Sequence, residues 1–207
     1  MKIQSENPLL FILAAGKGTR LKSFTDTKNK ALLPINNKAV ISHIIDKFPK
    51  NTEIVIAVGS HKNSLIDYCE LIYPDRDITY VEVDKWEDSN IGPGYSTYKC
   101  KEYLQRPFYI TTVDCLLDIN EEIPSWNTNW IAICKTEYPE TYSTVEIDNS
   151  QKTITKVIEK SKNGAEYAFI GLAYVHEYDV FMDNLENLIK HNNTSLILAW
   201  ENIKSYK

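Results

Sequence analysis

The sequence predicts an α/β fold, a Rossmann-like mixed and mostly parallel sheet flanked by helices, as a single domain over residues 1–207. Three observations lead there. Apolar runs alternate with amphipathic stretches through the first half of the chain, a βαβ rhythm that calls for parallel strands covered on both faces. A chain of 207 residues can bury one sizeable core and is too short for two large domains. Glycine is sparse, with seven in the chain, and Gly16, Gly18 and Gly94 fall in loops beside predicted strands. Loops at the carboxyl ends of parallel strands are where an open α/β sheet binds its ligand.

In chain order, Leu9–Ala15 reads as a buried strand, Val40–Phe48 as a helix, Glu53–Val58 as a strand and Ser64–Tyr73 as a helix. The pattern repeats with Ile78–Val83, Tyr95–Leu104 and Phe108–Val113, and right-handed crossovers follow by default. After Asp114 the rhythm changes to strand-like segments at Trp130–Lys135, Thr144–Ile147, Thr153–Glu159 and Ala168–Val175, followed by helical Glu177–Lys190 and Ser195–Lys204. No internal repeat, linker or low-complexity tract interrupts this order.

Composition excludes several classes of function. Acidic residues outnumber basic ones 28 to 23, for a formal net charge of −5, and no long Lys/Arg run offers a phosphate-backbone footprint, so nucleic acid is not an expected partner. The first apolar stretch is too brief for a membrane span and follows polar Gln4, Ser5, Glu6 and Asn7, which lack a signal-peptide layout; the expectation is a cytoplasmic protein with no membrane partner. Cys69, Cys100, Cys115 and Cys134 form no Cys-x-x-Cys pair and have no histidine spaced to complete a zinc site, so they read as reduced, buried small hydrophobes. A homo-oligomer is left open.

The most informative segment is Ile12-Leu13-Ala14-Ala15-Gly16-Lys17-Gly18-Thr19-Arg20-Leu21, with Lys30-Ala31-Leu32-Leu33-Pro34 following it. Gly16 and Gly18 remove side chains where a triphosphate would approach, and glycine admits the positive backbone angles that turn successive N–H groups toward an anion. Arg20 offers a planar fork for phosphate oxygens and Lys30 a mobile point charge. A Walker loop would need Gly at position 11 and Ser or Thr at 18, where Phe11 and Gly18 stand; the dinucleotide fingerprint would need a small residue in place of Leu21.

Leu-Ala-Ala-Gly-x-Gly-Thr-Arg-Leu followed by Lys-x-Leu-x-Pro resembles the signature of the sugar-phosphate nucleotidyltransferase and cytidylyltransferase superfamily. The resemblance implies that Leu13, Ala14, Ala15, Gly16, Lys17 and Gly18 bind the nucleotide, with Arg20 on the triphosphate and Lys30 on the reacting phosphates. Asp114, ending the apolar strand through Thr111-Thr112-Val113, is similar to the family's metal-binding aspartate, which implies Mg²⁺ as cofactor. Asp118 is a nearby competitor. Glu159-Lys160 resembles the Glu-Lys pair that binds the acceptor, although Ser161 stands where the family often has Pro. Ile170-Gly171-Leu172-Ala173-Tyr174 resembles the strand that closes the acceptor pocket. The segment Ser89–Ser96 sits where the family reads the base, with Asn90, Gly94 and Ser96 as candidates and Ser60 as a second one.

Nothing after Tyr174 has the local context of the family's second metal-binding aspartate. Either Glu201 substitutes or the chain lacks the final segment. The Lys-Ala-Leu-Leu-Pro form, the Asn/Gly/Ser loop and the short chain look closer to bacterial cytidylyltransferases than to the longer glucose-1-phosphate enzymes. The partners so implied are CTP and a phosphorylated small-molecule acceptor, with phosphoglutamine first and phosphocholine or a sugar 1-phosphate as alternatives, in capsule or surface polysaccharide modification. A different class of reading is a nucleotide-sensing module that keeps the fold without catalysis.

Overall fold

The computed structural model describes residues 9–88, 90–116, 128–148, 150 and 153–200. In chain order the strands are β1 (Leu9–Leu13), β2 (Pro34–Ile35), β3 (Lys38–Ala39), β4 (Ile54–Val58), β5 (Ile78–Glu82), β6 (Phe108–Thr112), β7 (Trp130–Lys135), β8 (Thr144–Asp148), β9 (Thr153–Ile158) and β10 (Tyr167–Val175). The helices are α1 (Val40–Ile45), α2 (Lys62–Ile72), α3 (Pro93–Lys99) and α4 (Tyr178–Lys190), with 3₁₀ turns at Thr19–Thr25, Lys30–Leu32, Lys101–Tyr103 and Ile197–Trp200. The fold is the expected α/β domain with a mixed sheet.

The main sheet runs β5-β4-β1-β6-β10-β8-β9, with β7 joined to β10. β5, β4, β1 and β6 are parallel to one another, while β10 enters antiparallel to β6 and pairs antiparallel with β7 and β8. The parallel core therefore belongs to the βαβ part of the chain, and the run of strands after Asp114 supplies the antiparallel side. β2 and β3 form a small separate hairpin turned by Asn36 and Asn37, both at positive φ, which the apolar pattern does not reveal.

β1 and β4 are buried at every residue, as central parallel strands covered on both faces must be. Alternation divides β1 between two cores. Leu9, Phe11, Leu13 and Ala15 pack with Phe181, Met182 and Leu185 of α4 and with Trp200; Leu10, Ile12 and Ala14 pack with Ile41, Ile44 and Ile45 of α1 and Leu65 of α2. Each fully buried Leu, Ile or Phe side chain among these contributes about 1.5–3 kcal/mol. In α4 the spacing of Phe181, Leu185 and Leu188 makes the apolar stripe, and Asp179 in its first turn and Lys190 in its last suit the helix dipole.

Three local expectations change. The Tyr95–Leu104 helix starts at Pro93, whose fixed φ suits a first turn, and gives way to a 3₁₀ turn after Lys99. Of the helix expected over Ser195–Lys204, the described part is the 3₁₀ turn Ile197–Trp200, held inward by the Phe181–Trp200 ring contact. Cys69, Cys100 and Cys115 are buried free thiols as expected, but Cys134 is exposed, because its β7 position faces a cleft instead of a core. Among the described residues no helix is long and apolar enough to cross a membrane.

Candidate functional site

The site is built where the parallel strands end. β1 runs out through Ala14 and Ala15, which remain buried and keep the chain tied to the sheet: the Ala14 amide donates to the Ala57 carbonyl at 3.0 Å, and the Ser60 amide donates to the Ala15 carbonyl at 2.9 Å. Beyond them Gly16 and Lys17 are exposed. A Cβ added to Gly16 would meet no heavy atom within 4 Å, so the fold leaves open space over that position. Gly18 answers to a local demand. It takes φ 69°, and its Cβ would come within 3.0 Å of Thr25 and 3.3 Å of Lys30. Thr25, buried, donates from Oγ1 to the Gly18 carbonyl and so closes the turn that presents Arg20.

Lys30 opens the 3₁₀ turn Lys30–Leu32, anchored beneath by fully buried Ala31. Its Nζ lies 3.0 Å from Asp114 Oδ2 at the end of β6, with the lysine side chain 19% exposed and the aspartate 65%. Desolvation pushes the Asp114 carboxyl pKa up, but the Lys30 charge and the hydrogen bonds from Thr112 and Lys30 outweigh it and hold the group below its ordinary 3.8. The Lys30 ammonium thus favours the ionised form of Asp114.

Asp114 opens onto a cleft of about 1630 Å³, whose lining includes Arg20, Thr112, Glu159, Lys160 and Gly171. The fold therefore brings Arg20, Lys30, Asp114, Glu159 and Lys160 to one place from four separate stretches of chain. Gly171 lets this happen. It sits at φ +91° in an irregular stretch of β10, where a Cβ would overlap the Thr112 hydroxyl, so glycine alone lets β10 pass the end of β6 next to Asp114.

The expected base-reading residues are placed less centrally. From that segment Gly92 and Pro93 line the cleft, whereas Asn90, Gly94 and Ser96 are not among its lining residues. Gly94 is buried, donates its amide to the Thr194 carbonyl at 2.9 Å, and would bring a Cβ to 2.6 Å from that oxygen. Asn90 is exposed and Ser96 half-buried within α3. Ser60, 4% exposed, joins the first loop through its backbone. Asp118 and Glu201 lie outside the described residues.

Two residues escape the sequence reading. Trp86 packs against Gly59, where an added Cβ would be 2.8 Å from its Cγ, and the Lys17 ammonium lies 5.7 Å from the Trp86 ring centroid. Asn29, 1% exposed, donates from Nδ2 to the Ala14 carbonyl at 2.8 Å and to the Ser60 carbonyl at 2.7 Å, and accepts the Ala31 amide on Oδ1 at 2.9 Å. The available signal was the helix-start pattern of Asn before Lys30-Ala31-Leu32.

As for a metal, Asp114 supplies one hard carboxylate, and among the described residues no group of three His, Cys, Asp or Glu side chains is gathered to cage an ion. That donor set fits Mg²⁺, which characteristically takes one or two protein carboxylates and completes its shell with phosphate oxygens and water.

Comparison with known proteins bears on this arrangement. The bifunctional protein GlmU of Methanococcus maripaludis (strain C5) is 28% identical over 180 residues, covering 86% of this chain and 42% of the relative. The choline-phosphate cytidylyltransferase of Streptococcus pneumoniae (strain R6) is 38% identical over 101 residues, covering 48% of this chain and 42% of the relative. The chain thus spans less than half the length of these curated relatives. Among solved structures, the CTP:phosphocholine cytidylyltransferase from Streptococcus pneumoniae superposes with a TM-score of 0.73 over 95% of this chain and 83% of its own, at 24% identity, a likeness of fold. Residues 10–123 match the MobA-like NTP transferase domain, and the chain belongs to that family.

Proposed function

We propose that this protein is a nucleotidyltransferase that moves a CMP moiety from CTP to a phosphorylated small-molecule acceptor and releases pyrophosphate. The observation that carries the reading is the Lys30–Asp114 pair, 3.0 Å apart, with Lys30 packed against Gly18 and Asp114 facing the cleft that Arg20 and Lys160 line. A mutually neutralised cation and anion in such a place can each be drawn to a ligand, the lysine to phosphate and the carboxylate to a cation. Asp114 would hold Mg²⁺, which when bound supplies charge neutralisation for the phosphates.

An acceptor phosphate oxygen forms a bond to the α-phosphorus of CTP while the bond from that phosphorus to the β-phosphate oxygen breaks, and the electron pair leaves with pyrophosphate. No protein nucleophile is needed. Lys30 and the Arg20 fork spread the accumulating negative charge, and Glu159 with Lys160 orient the acceptor across the cleft. Ala14 to Gly16, with the backbone near Ser60 and Gly92, frame the base.

The acceptor we favour is phosphoglutamine, for capsule or surface polysaccharide modification, on the cytidylyltransferase character of Lys-Ala-Leu-Leu-Pro. Phosphocholine is the second reading, supported by the 38% identity to a protein named for that acceptor. A sugar 1-phosphate is a third reading. The test crosses the four nucleoside triphosphates with these three acceptors in Mg²⁺ and measures pyrophosphate. Release is expected with CTP and one acceptor together. Nucleotide binding with no release in any combination would identify a sensor module, and release with UTP or a purine triphosphate alone would overturn the cytidylyl assignment.

A further inference from the structure

The geometry points to Asn29 as a positioning residue that locks the phosphate-facing lysine to the two loops on which the nucleotide rests. This rests on the proposed reaction for its catalytic consequence, but the structural coupling stands without it.

Asn29 is nearly fully buried, and its single amide group reaches three parts of the site. Both Nδ2 hydrogens are used, one on the Ala14 carbonyl at the exit of β1 and one on the Ser60 carbonyl at the exit of β4. Oδ1 accepts the Ala31 amide and so caps the turn whose first residue is Lys30. Ala14 and Ser60 themselves are held by the sheet, through Ala14 N to Ala57 O and Ser60 N to Ala15 O. The lysine-bearing turn is therefore referenced by hydrogen bonds to the strand ends. A polar side chain so placed fixes position more than it adds stability, because each bond replaces one to water while imposing direction.

The substitution that separates these roles is Asn29→Asp, which keeps the shape and the cap acceptor but sets a carboxylate oxygen against two carbonyls. Asn29→Ser keeps a capping hydroxyl without the second carboxylate oxygen and provides the milder variant. For folded Asn29→Ser, kcat with CTP and acceptor is expected to fall roughly 10- to 100-fold with KM for CTP changed little, since a displacement of about 1 Å costs that much in rate. Amide hydrogen exchange, read without any nucleotide, is expected to quicken at Ala31, Leu32 and Leu33 while Ile56 and Phe108 in the sheet exchange as in the wild type.

Wild-type kcat together with unchanged exchange at residues 31–33 would overturn the inference. So would a uniform rise in exchange across the sheet, or failure of both variants to fold, which would make Asn29 a general stability residue. If the wild type turns over no triphosphate, the proposed reaction fails, and the exchange measurement still decides whether Asn29 couples the turn to the strand ends.

Discussion

Glycines follow both β1 and β5, and Gly16 in the first segment differs in kind from Gly92 and Gly94 in the second. At Gly16 an added side chain would enter open space, whereas at Gly92 and Gly94 it would strike the Thr194 carbonyl 2.6 Å away. The fold makes no demand at the first position and a strict one at the other two, where the turn after α4 lies against the start of α3. A glycine that the protein does not need for itself points to a ligand. A glycine pressed by its own chain points to packing. The 90–96 segment is thus held chiefly by its own protein, and of its residues Gly92 and Pro93 line the cleft.

The largest effect that would sharpen this contrast is at Lys30, on the open side. Lys30→Ala is expected to lower pyrophosphate release by at least about tenfold in a protein with a wild-type melting curve, since removing one preorganised donor at developing charge costs that or more. Unchanged turnover would place the reaction elsewhere. Next come the glycines themselves. Gly94→Ala should cost roughly 1–3 kcal/mol, as overpacking of a tight contact does, and appear as a lower midpoint in thermal or urea unfolding. Gly16→Ala should leave the midpoint unmoved and weaken CTP binding measured by calorimetry. Equal losses of stability in the two variants would break the comparison.

The smallest expected effect concerns Asp114. Its carboxyl pKa is lowered in the folded protein, so its ion pair contributes stability at pH values above the unfolded pKa and loses it as pH falls through the folded value. The acid limb of Tm against pH should therefore be slightly flatter in Asp114→Asn below about pH 4, the range where an ordinary aspartate titrates. The change is small because the carboxylate is exposed. In the same variant, nucleotide affinity should fall more with Mg²⁺ present than without it.

What could be read in the sequence follows from how local its cause is. β1 and β4 announce themselves because burial on both faces requires an unbroken apolar run. Lys30 and Asp114 were legible only through their order relative to Gly16 and Gly18, and Glu159 and Lys160 in the same way; the cleft they share with Arg20 depends on β10 entering beside β6, an insertion that no local pattern specifies. Gly171 inside an apolar strand is a recognised sign of a bulge, but the reason for it, Thr112, is distant in sequence. Asn29 looked like any polar residue before a turn, since its two strongest obligations are to carbonyls that only the tertiary fold brings near. Cys134 departs from the buried expectation because strand alternation alone does not say which face of β7 is covered.

The division of β1 between two cores has a consequence for how this site could be altered. Ala14 belongs to the layer under α1 and α2, while Ala15, its neighbour, belongs to the layer under α3 and α4. The root of the glycine loop is gripped from both sides of the sheet at once, so repacking either layer bears on Gly16 and, through Asn29, on the turn that carries Lys30. Variants selected for stability on one helical layer should for that reason be screened for turnover even when every changed residue lies far from the cleft, because the loop has no side of the molecule on which it is mechanically isolated.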